Sequence, residues 1–297
     1  MKNRLFALTT AAVLAVSLTA CGSKAEEPAA ADTKAEAAEE TASADTTGEK
    51  KVLKVAMECG YAPYNWTQPD DSNGAVPIND SSDYAYGYDV MMAKKIADEL
   101  GYELQIVKLD WDSLVPAVQS GQVDCVIAGQ SITKERQQMV DFTDPYYYAS
   151  IITLVKEDGD YKDAASVEDL KGATVTSQQN TIWYDSCLPQ IENTNLLAPA
   201  DSAPAMIMQL QTGAVDYVCT DMPTAMGACA TYSDLAILDF SNSEDNFRVD
   251  EGQINIGISV VKGNTELKDA MDKVLAPLNA DIFNAIMNQA IAVQPTI

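Results

Sequence analysis

A twelve-residue pattern occurs twice in this chain, and it constrains the fold more than any other feature of the sequence. Residues 118–129 read VQSGQVDCVIAG, and residues 210–221 read LQTGAVDYVCTD. Each copy has the order of a helix end, a glycine that ends the helix, and a short apolar strand. Because the unit is built twice, a domain's length apart, it indicates two similar lobes with a cleft between them. The residues of the first copy that recur unchanged in the second are Gln119, Gly121, Val123, Asp124 and Val126.

The first fifty residues have the pattern of a secreted, lipid-anchored protein. Lys2 and Arg4 precede an apolar run of signal-peptide length, and residues 18–21 read LTAC, which resembles a bacterial lipobox. We therefore expect residues 1–20 to be a lipoprotein signal peptide and Cys21 to carry lipid, palmitate included. An ordinary secretory signal with a chance cysteine is the alternative. Residues 21–50 are rich in alanine and glutamate and hold no large apolar side chain, which predicts a disordered tether.

Composition argues against several classes of function. The formal net charge is −25, which would repel the phosphates of a nucleic acid. The chain has no histidine, which removes Ser-His-Asp and Cys-His nucleophile arrangements and nearly all catalytic zinc sites. The lack of histidine is the strongest single argument against a hydrolase. We expect no enzymatic activity, no cofactor and no metal.

The cysteines do not form an obvious disulfide framework. With Cys21 assigned to lipid, five remain, an odd number without paired spacing. Cys125 and Cys219 lie inside apolar strand patterns, which is typical of core residues. A single disulfide that involves Cys229 or Cys187 stays open, and Cys59 has no assigned partner.

Beyond residue 50, strand and helix patterns alternate in two runs. The first run predicts strands at 52–57, 102–109 and 123–128 and helices at 89–100 and 112–119, the latter capped by Asp112. The second run predicts strands at 173–177 and 215–220 and helices from about Thr181 and at 203–212. Such alternation favours parallel sheets that are covered on both faces.

Two apolar, β-rich segments, residues 146–157 and 254–263, are long enough to cross between the halves as hinge strands. The C-terminal stretch predicts two helices, one capped near Asn264 and one after Pro277, that return to the first lobe. The predicted fold class is α/β, with two Rossmann-like lobes joined by two hinge strands and a ligand cleft between them. The predicted boundaries are 51–149 and 250–297 for lobe 1 and 150–249 for lobe 2.

Two of the strand ends carry opposite charges, and ligands of open parallel sheets bind beyond such ends. After strand 123–128, a turn leads into a helix with Thr133 as its N-cap, where free N–H groups favour an anion. Arg136 can add a two-pronged contact to a carboxylate, although a surface helix residue is the alternative. Asp221 is the only charge at the end of the second copy. It could also cap the next turn, and both roles can coexist.

Three stretches resemble a known family: GYDVMMAKKIADELG (87–101), LVPAVQSGQVDCVIAGQSITKERQQMVDFTDPYY (114–147) and GISVVKGN (257–264). The sequence resembles the family-3 solute-binding proteins of polar amino-acid ABC importers over nearly all of residues 51–297. The resemblance implies the type II periplasmic-binding-protein fold. It also implies a protein that captures a polar or cationic amino acid by lobe closure and delivers it to the transmembrane subunits of an ABC permease. We expect a monomer that is anchored on the extracytoplasmic face of the cell membrane.

The resemblance also implies roles for individual residues at the two charged ends. Ser131 and Arg136 would hold the ligand α-carboxylate, with a contact from Gly129 and a second-lobe donor from Thr181. Asp221 would take the α-ammonium. Asn180 stands where relatives carry a glycine.

The ligand side chain would meet four further residues. Tyr61 and Trp111 match the aromatics that sandwich it, Glu58 matches the position at its tip, and Gln178 stands where relatives place a side-chain-reading residue. Aromatic faces with one carboxylate favour a flat or cationic group. The alternatives are ordinary core packing for the aromatics and a solvated loop charge for Glu58.

Two other functions fit the same fold. A surface receptor or adhesin could use the lobes to sense an amino acid, with a partner for signalling. A cyclohexadienyl-dehydratase-like enzyme would need a general acid in the cleft, and Glu58 is the one candidate.

Overall fold

The computed structural model describes residues 50–295. The predictions for the signal peptide, for the lipid on Cys21 and for the tether up to residue 49 lie outside these residues. No helix in the described part combines the length and apolar character that a membrane span requires.

Fourteen strands and eight α-helices make up this part of the chain. The strands are β1 Val52–Met57, β2 Gly60–Tyr61, β3 Asn65–Gln68, β4 Val76–Pro77, β5 Tyr84–Tyr86, β6 Glu103–Lys108, β7 Cys125–Val126, β8 Val140–Phe142, β9 Ile151–Lys156, β10 Thr174–Thr176, β11 Asn195–Leu196, β12 Tyr217–Asp221, β13 Leu235–Leu238 and β14 Ser259–Val261. The helices are α1 Tyr88–Leu100, α2 Leu114–Gln119, α3 Lys134–Met139, α4 Ala203–Gln211, α5 Met222–Thr231, α6 Glu251–Ile254, α7 Thr265–Leu275 and α8 Ala280–Val293.

Two five-stranded sheets share one topology. The first sheet has the order β6-β1-β7-β14-β8, and the second has the order β11-β10-β12-β9-β13. In each sheet three parallel strands are followed by an antiparallel strand, β14 or β9, and by a fifth strand antiparallel to it. A smaller antiparallel sheet, β2-β3-β5-β4, lies beside the first. The two-lobed α/β class is thereby confirmed, but the sheets are mixed rather than purely parallel.

The antiparallel strands come from the two segments that were expected to be hinges. β9 lies in residues 146–157 and β14 in residues 254–263, so each segment inserts a strand into the sheet that it enters. The backbone before each strand makes the crossing, and the two crossings pair where Tyr147 meets Ile256. Ile256 donates its N–H to the Tyr147 carbonyl at 2.9 Å.

The repeated sequence unit is a repeated structural unit. Gly121 and Gly213 follow α2 and α4 with φ of 74° and 72°, a left-handed conformation that glycine adopts without strain. Immediately before each strand, the carboxylate of Asp124 accepts the Lys54 N–H at 2.7 Å, and that of Asp216 accepts the Thr174 N–H at 2.7 Å. Each aspartate therefore helps to hold its strand beside its parallel neighbour, β7 beside β1 and β12 beside β10.

Three local predictions differ from the structure. The strand expected at 123–128 is paired only at Cys125–Val126, and the chain beyond it turns at once into the candidate site. The helix expected from about Thr181 is a π-helical turn, Trp183–Cys187, followed by a 3₁₀ turn. Asp112 does not cap α2; it lies in a 3₁₀ turn, and its side chain bonds across the cleft.

The C-terminal helices pack as expected against the helix of the first sheet, with one addition. Asn264 caps α7 by accepting the Leu267 N–H at 3.2 Å, and both α7 and α8 contact α1. Helix α8 also contacts α5, which packs on the second sheet. All five cysteines of residues 50–295 are free, and Cys125 and Cys219 are fully buried, so the disulfide that was left open does not form.

Candidate ligand-binding site

The turn that carries Gly129 and Ser131 follows β7 directly and is held by the second crossing segment. Ile132 donates its N–H to the Asn255 carbonyl at 2.9 Å, and Gly257 donates to the Gln130 carbonyl at 3.1 Å. Thr133 caps α3, as predicted, by accepting the Arg136 N–H at 3.2 Å. Backbone pairing on one side and a helix cap on the other therefore define the geometry of this turn.

Arg136 is buried and already spans the cleft. Its guanidinium donates to the Ser131 carbonyl at 2.9 Å and to the Asn180 carbonyl at 2.8 Å, and it lies 5.1 Å from the ring centre of Trp111. Burial lowers its pKa to about 10, while Asp185 and Glu135 oppose that shift, so the group stays charged at neutral pH. A guanidinium has five N–H donors, and these two bonds leave donors for an anion.

A groove of about 810 Å³ opens beside this guanidinium. Its lining includes Trp111, Arg136 and Thr181 of the predicted site, together with Asp112 and Asn180. Glu58, Tyr61 and Asp221 do not line it. Gly129, Ser131 and Gln178 do not line it either. The groove therefore reaches two of the predicted carboxylate contacts, Arg136 and Thr181, and the predicted ammonium contact is closed off from it.

Asp221 ends β12 and begins α5, which is the strand-to-helix position that the sequence predicted. It caps α5 by accepting the Thr224 N–H at 2.8 Å, and its other carboxylate oxygen accepts the Tyr64 hydroxyl at 3.0 Å and the Tyr61 hydroxyl at 3.4 Å. Burial raises its pKa, and these hydrogen bonds oppose the rise. The capping role that the sequence allowed is confirmed, and the contact with a ligand ammonium stays a prediction.

Tyr61 and Tyr64 cover Asp221 as a stacked pair. Their ring centres are 4.9 Å apart, and the Tyr61 hydroxyl also bonds the Thr224 hydroxyl at 2.8 Å. Gly129 makes room for this pair: its φ is +63°, and a Cβ there would lie 2.9 Å from the Tyr61 ring. Sequence reasoning missed Tyr64, although the motif Tyr-Ala-Pro-Tyr offered a signal.

Glu58 follows β1 and is largely shielded from solvent. Burial raises its pKa to about 8, with smaller contributions from Asp89, Asp110 and Asp112. One of its carboxylate oxygens is buried without a hydrogen-bond partner in the described residues, and so is the side-chain nitrogen of Gln178. Two of the three buried side-chain atoms that lack a hydrogen-bond partner in the described residues thus belong to predicted side-chain contacts, and the third is the Gln294 Oε1.

Three hydrogen bonds connect the turn 178–181 to Trp111 and Asp112, which follow β6 of the first sheet. The Trp111 indole donates to the Gln179 carbonyl at 3.0 Å, and the Asp112 carboxylate accepts the side-chain amides of Gln179 and Asn180, both at 2.7 Å. Asn180 has φ of 56°, so it takes the left-handed conformation for which relatives use glycine. The Thr181 hydroxyl donates locally, to the Gln178 carbonyl at 2.7 Å.

No cluster of three or more Asp, Glu or Cys residues that could hold a metal ion occurs within residues 50–295.

Comparison with known proteins gives a consistent result. The family described as bacterial extracellular solute-binding proteins, family 3, matches residues 53–291. An arginine-binding extracellular protein of Bacillus subtilis is 32% identical over 59% of this chain, and the chain spans only 55% of that relative. A probable histidine-binding protein of Neisseria gonorrhoeae is 27% identical over 88% of this chain and 86% of its own length.

A solved structure gives the same result. An amino acid ABC transporter substrate-binding protein from Streptococcus pneumoniae, bound to L-arginine, has a TM-score of 0.69 and 27% identity, over 82% of this chain and 95% of its own. All of these relatives are named as binding proteins, and none as an enzyme.

Proposed function

Because the chain belongs to the bacterial extracellular solute-binding proteins of family 3, we propose that it captures an amino acid outside the cytoplasm and delivers it to an ABC permease. The observation that carries the proposal is the pair of buried, opposite charges at the ends of equivalent strands. Arg136 follows β7 of the first sheet, and Asp221 ends β12 of the second. An amino-acid zwitterion carries the complementary pair of charges.

Each end of the zwitterion has a set of partners in this proposal. Arg136, with Ser131, Gly129 and Thr181, binds the carboxylate, and Asp221 binds the ammonium once the tyrosine hydroxyls yield to it. Closure of the two lobes then completes the contacts, since a ligand that bonds both sides favours the closed state.

The ligand in this proposal is a polar or cationic amino acid. Glu58 supplies a carboxyl group with an unpaired oxygen, Gln178 an unpaired amide nitrogen, and Tyr61 and Trp111 aromatic faces. A cation beside Glu58 would offset the cost of ionising it, and aromatic faces attract cations. Relatives named for arginine and histidine agree with this class.

The remaining parts of the proposal concern residues 1–49. A signal peptide directs export, lipid on Cys21 anchors the protein to the extracytoplasmic face of the membrane, and the tether holds a monomeric binding body near the permease. This arrangement rests on the sequence pattern alone.

A thermal-shift screen of the twenty amino acids, followed by calorimetry, tests the function. A bound ligand at 100 times its dissociation constant adds about 2.7 kcal/mol of stability. Arg136→Ala and Asp221→Asn should each lose about 3–5 kcal/mol of affinity for the best ligand, because each leaves a buried charge unpaired. The exposed Arg248→Ala and Asp201→Ala serve as matched controls. Unchanged affinity in both site variants, or no shift with any amino acid, would refute the proposal.

A further inference from the structure

Asp89 is a fully buried carboxylate directly beneath the candidate site. It lies in the first turn of α1, where the helix dipole favours an anion. Its own N–H donates to the Tyr64 carbonyl at 2.8 Å, so the start of α1 is bonded to the loop that carries Tyr61 and Tyr64. It forms no ion pair within residues 50–295.

One oxygen of Asp89 is connected, through Tyr146, to the turn that carries Gly129 and Ser131. The Tyr146 hydroxyl donates to this oxygen at 2.7 Å and accepts the Gly129 N–H at 3.0 Å. Tyr146 is itself fully buried and belongs to the first crossing segment. A continuous path of hydrogen bonds thus leads from Asp89 to the backbone of Gly129.

The other oxygen is connected to the Glu58 loop through Asn65. The Asn65 amide nitrogen donates to this oxygen at 2.7 Å, and the Asn65 amide oxygen accepts the Cys59 N–H at 2.7 Å. Asn65 is also fully buried, and Cys59 follows Glu58 directly. The same carboxylate therefore fixes backbone on both sides of the candidate site.

We propose that Asp89 is the positioning residue of the binding site, and that it sets the Gly129 turn through Tyr146 and the Glu58 loop through Asn65. The ligand does not touch it. Its role follows from the chemistry of the ionised group: a carboxylate only accepts, so both neighbours must donate toward it, and each is then left with an oxygen that can accept a loop N–H. That the two loops bind a ligand rests on the proposed function. That Asp89 holds the two loops in place does not.

An amide at position 89 cannot replace the carboxylate. With its oxygen toward Tyr146, its NH₂ group would face the NH₂ group of Asn65. If Asn65 flipped to avoid this, its NH₂ group would face the Cys59 N–H. Asp89→Asn therefore breaks at least one of the two connections while it preserves the shape of the side chain.

The double variant Asp89→Asn with Asn65→Asp restores every donor and acceptor. The new amide at position 89 accepts from Tyr146 and donates to the new carboxylate at position 65, which accepts the Cys59 N–H with its second oxygen. Only the position of the negative charge changes, from residue 89 to residue 65. A general loss of packing would not be repaired in this way.

Amide hydrogen exchange of the unliganded protein, measured by NMR at Cys59 and Gly129, tests the positioning role. Asp89→Asn should exchange at least tenfold faster at one or both amides, and the double variant should return both to the original rate. Tyr146→Phe should accelerate Gly129 alone. Tyr147→Phe is the control, since its hydroxyl bonds Asn284 at 3.0 Å, outside this network. Unchanged exchange in Asp89→Asn and in Tyr146→Phe would overturn the inference.

Calorimetry with the best amino acid from the screen gives the second measurement. Affinity should fall at least tenfold in Asp89→Asn and recover in the double variant, and recovery of exchange without recovery of affinity would overturn the positioning role. If the unmodified protein binds no amino acid, the proposed function fails, and the exchange rates still decide whether Asp89 holds the two loops.

Discussion

Glu58, Asp89 and Asp221 are shielded carboxyl groups that form no ion pair within residues 50–295. Burial raises the pKa of Glu58 to about 8 and that of Asp89 to about 7, and it also raises the pKa of Asp221. Desolvation disfavours the charged form of each. A cation placed beside Glu58 or Asp221 would therefore offset part of the cost of ionising that group.

The raised pKa of Glu58 makes stability depend on pH. Between about pH 4.5 and 8 the folded protein binds more protons at this group than the unfolded chain, so the free energy of unfolding falls as pH rises. Glu58→Gln removes this contribution and should raise the unfolding free energy at pH 8 by about 1–2 kcal/mol, with little change at pH 5. The upper limit is about 1.4 kcal/mol for each unit of pKa shift, or about 5 kcal/mol between 4.5 and about 8, and we expect less because the group keeps some solvent contact.

Urea denaturation of the unliganded protein at pH 5, 6.5 and 8 measures this effect. The exposed Glu103→Gln is the matched control. An identical pH slope in Glu58→Gln and in the unmodified protein would contradict the prediction.

The residues that sequence analysis could place are those fixed by local chain order. Thr133 and Asp221 lie where a strand ends and a helix begins, so cap chemistry identifies both. Asp89, Asn65 and Tyr146 were not identified, because they act through contacts across 24 and 57 positions of sequence. Asp112 was assigned the wrong partner for the same reason: its amide partners are 67 and 68 residues away.

Among the elements, helix α5 connects the two parts of the molecule most closely. It packs on the second sheet and contacts α8. The Gln294 side chain donates to the Gly227 carbonyl of α5 at 2.8 Å. A Cβ at Gly227 would lie 2.9 Å from the Gln294 side-chain oxygen and 3.0 Å from Pro63, in the loop of Tyr61 and Tyr64. The closed arrangement thus uses the small size of Gly227.

Gly227→Ala should separate stability from binding. Alanine favours a helix over glycine by about 1 kcal/mol, whether the cleft is open or closed. We expect the contacts with Pro63 and Gln294 to be tightened in the closed arrangement and relieved when the lobes separate. We expect an unchanged or higher melting temperature without ligand, together with about tenfold weaker amino-acid binding by calorimetry.

Ala225→Gly, at a buried position on the same helix, should lower the melting temperature without ligand. If Gly227→Ala bound the ligand more weakly but also had a lower melting temperature without ligand, the result would argue against a specific role of Gly227 in closure.

Element prediction from the sequence succeeded where periodicity was long and failed where it was short. Helix α1, with its apolar face and Gly101 stop, and the strand β1 match their predicted ranges closely. The antiparallel insertion of β9 and β14 was not predicted, because strand direction depends on the partner sheet. The π-helical turn after Thr181 carries the same residue pattern as an ordinary helix start.

At the scale of the whole molecule, the protein holds its own cleft closed. Trp111 and Asp112 bond the turn 178–181, Arg136 bonds the Asn180 carbonyl, and Tyr64 bonds Asp221. These bonds join residues associated with different sheets. The balance between open and closed states therefore depends on them as well as on ligand.

Asp112→Ala removes both side-chain amide bonds at the mouth of the cleft. Because exposed hydrogen bonds contribute about 1 kcal/mol, we expect about fivefold weaker ligand binding. Small-angle X-ray scattering should show a larger radius of gyration without ligand, which saturating ligand restores.

Asp110→Ala is the control, since its carboxylate lies outside these two bonds. An unchanged radius and affinity in Asp112→Ala would show that the bonds to Gln179 and Asn180 do not influence closure.

The pairing of residues 255–257 with the Gln130–Ile132 backbone bears on how such a protein can diverge. An insertion in either segment would displace both the chain that crosses between the sheets and the turn that carries Gly129 and Ser131. Selection should therefore remove insertions and deletions there. Glu58 and Trp111 lie outside this pairing and can be exchanged one at a time. With the ligand contacts proposed above, lineages can thus change which amino acid is preferred while the backbone proposed to bind the part shared by all amino acids stays the same.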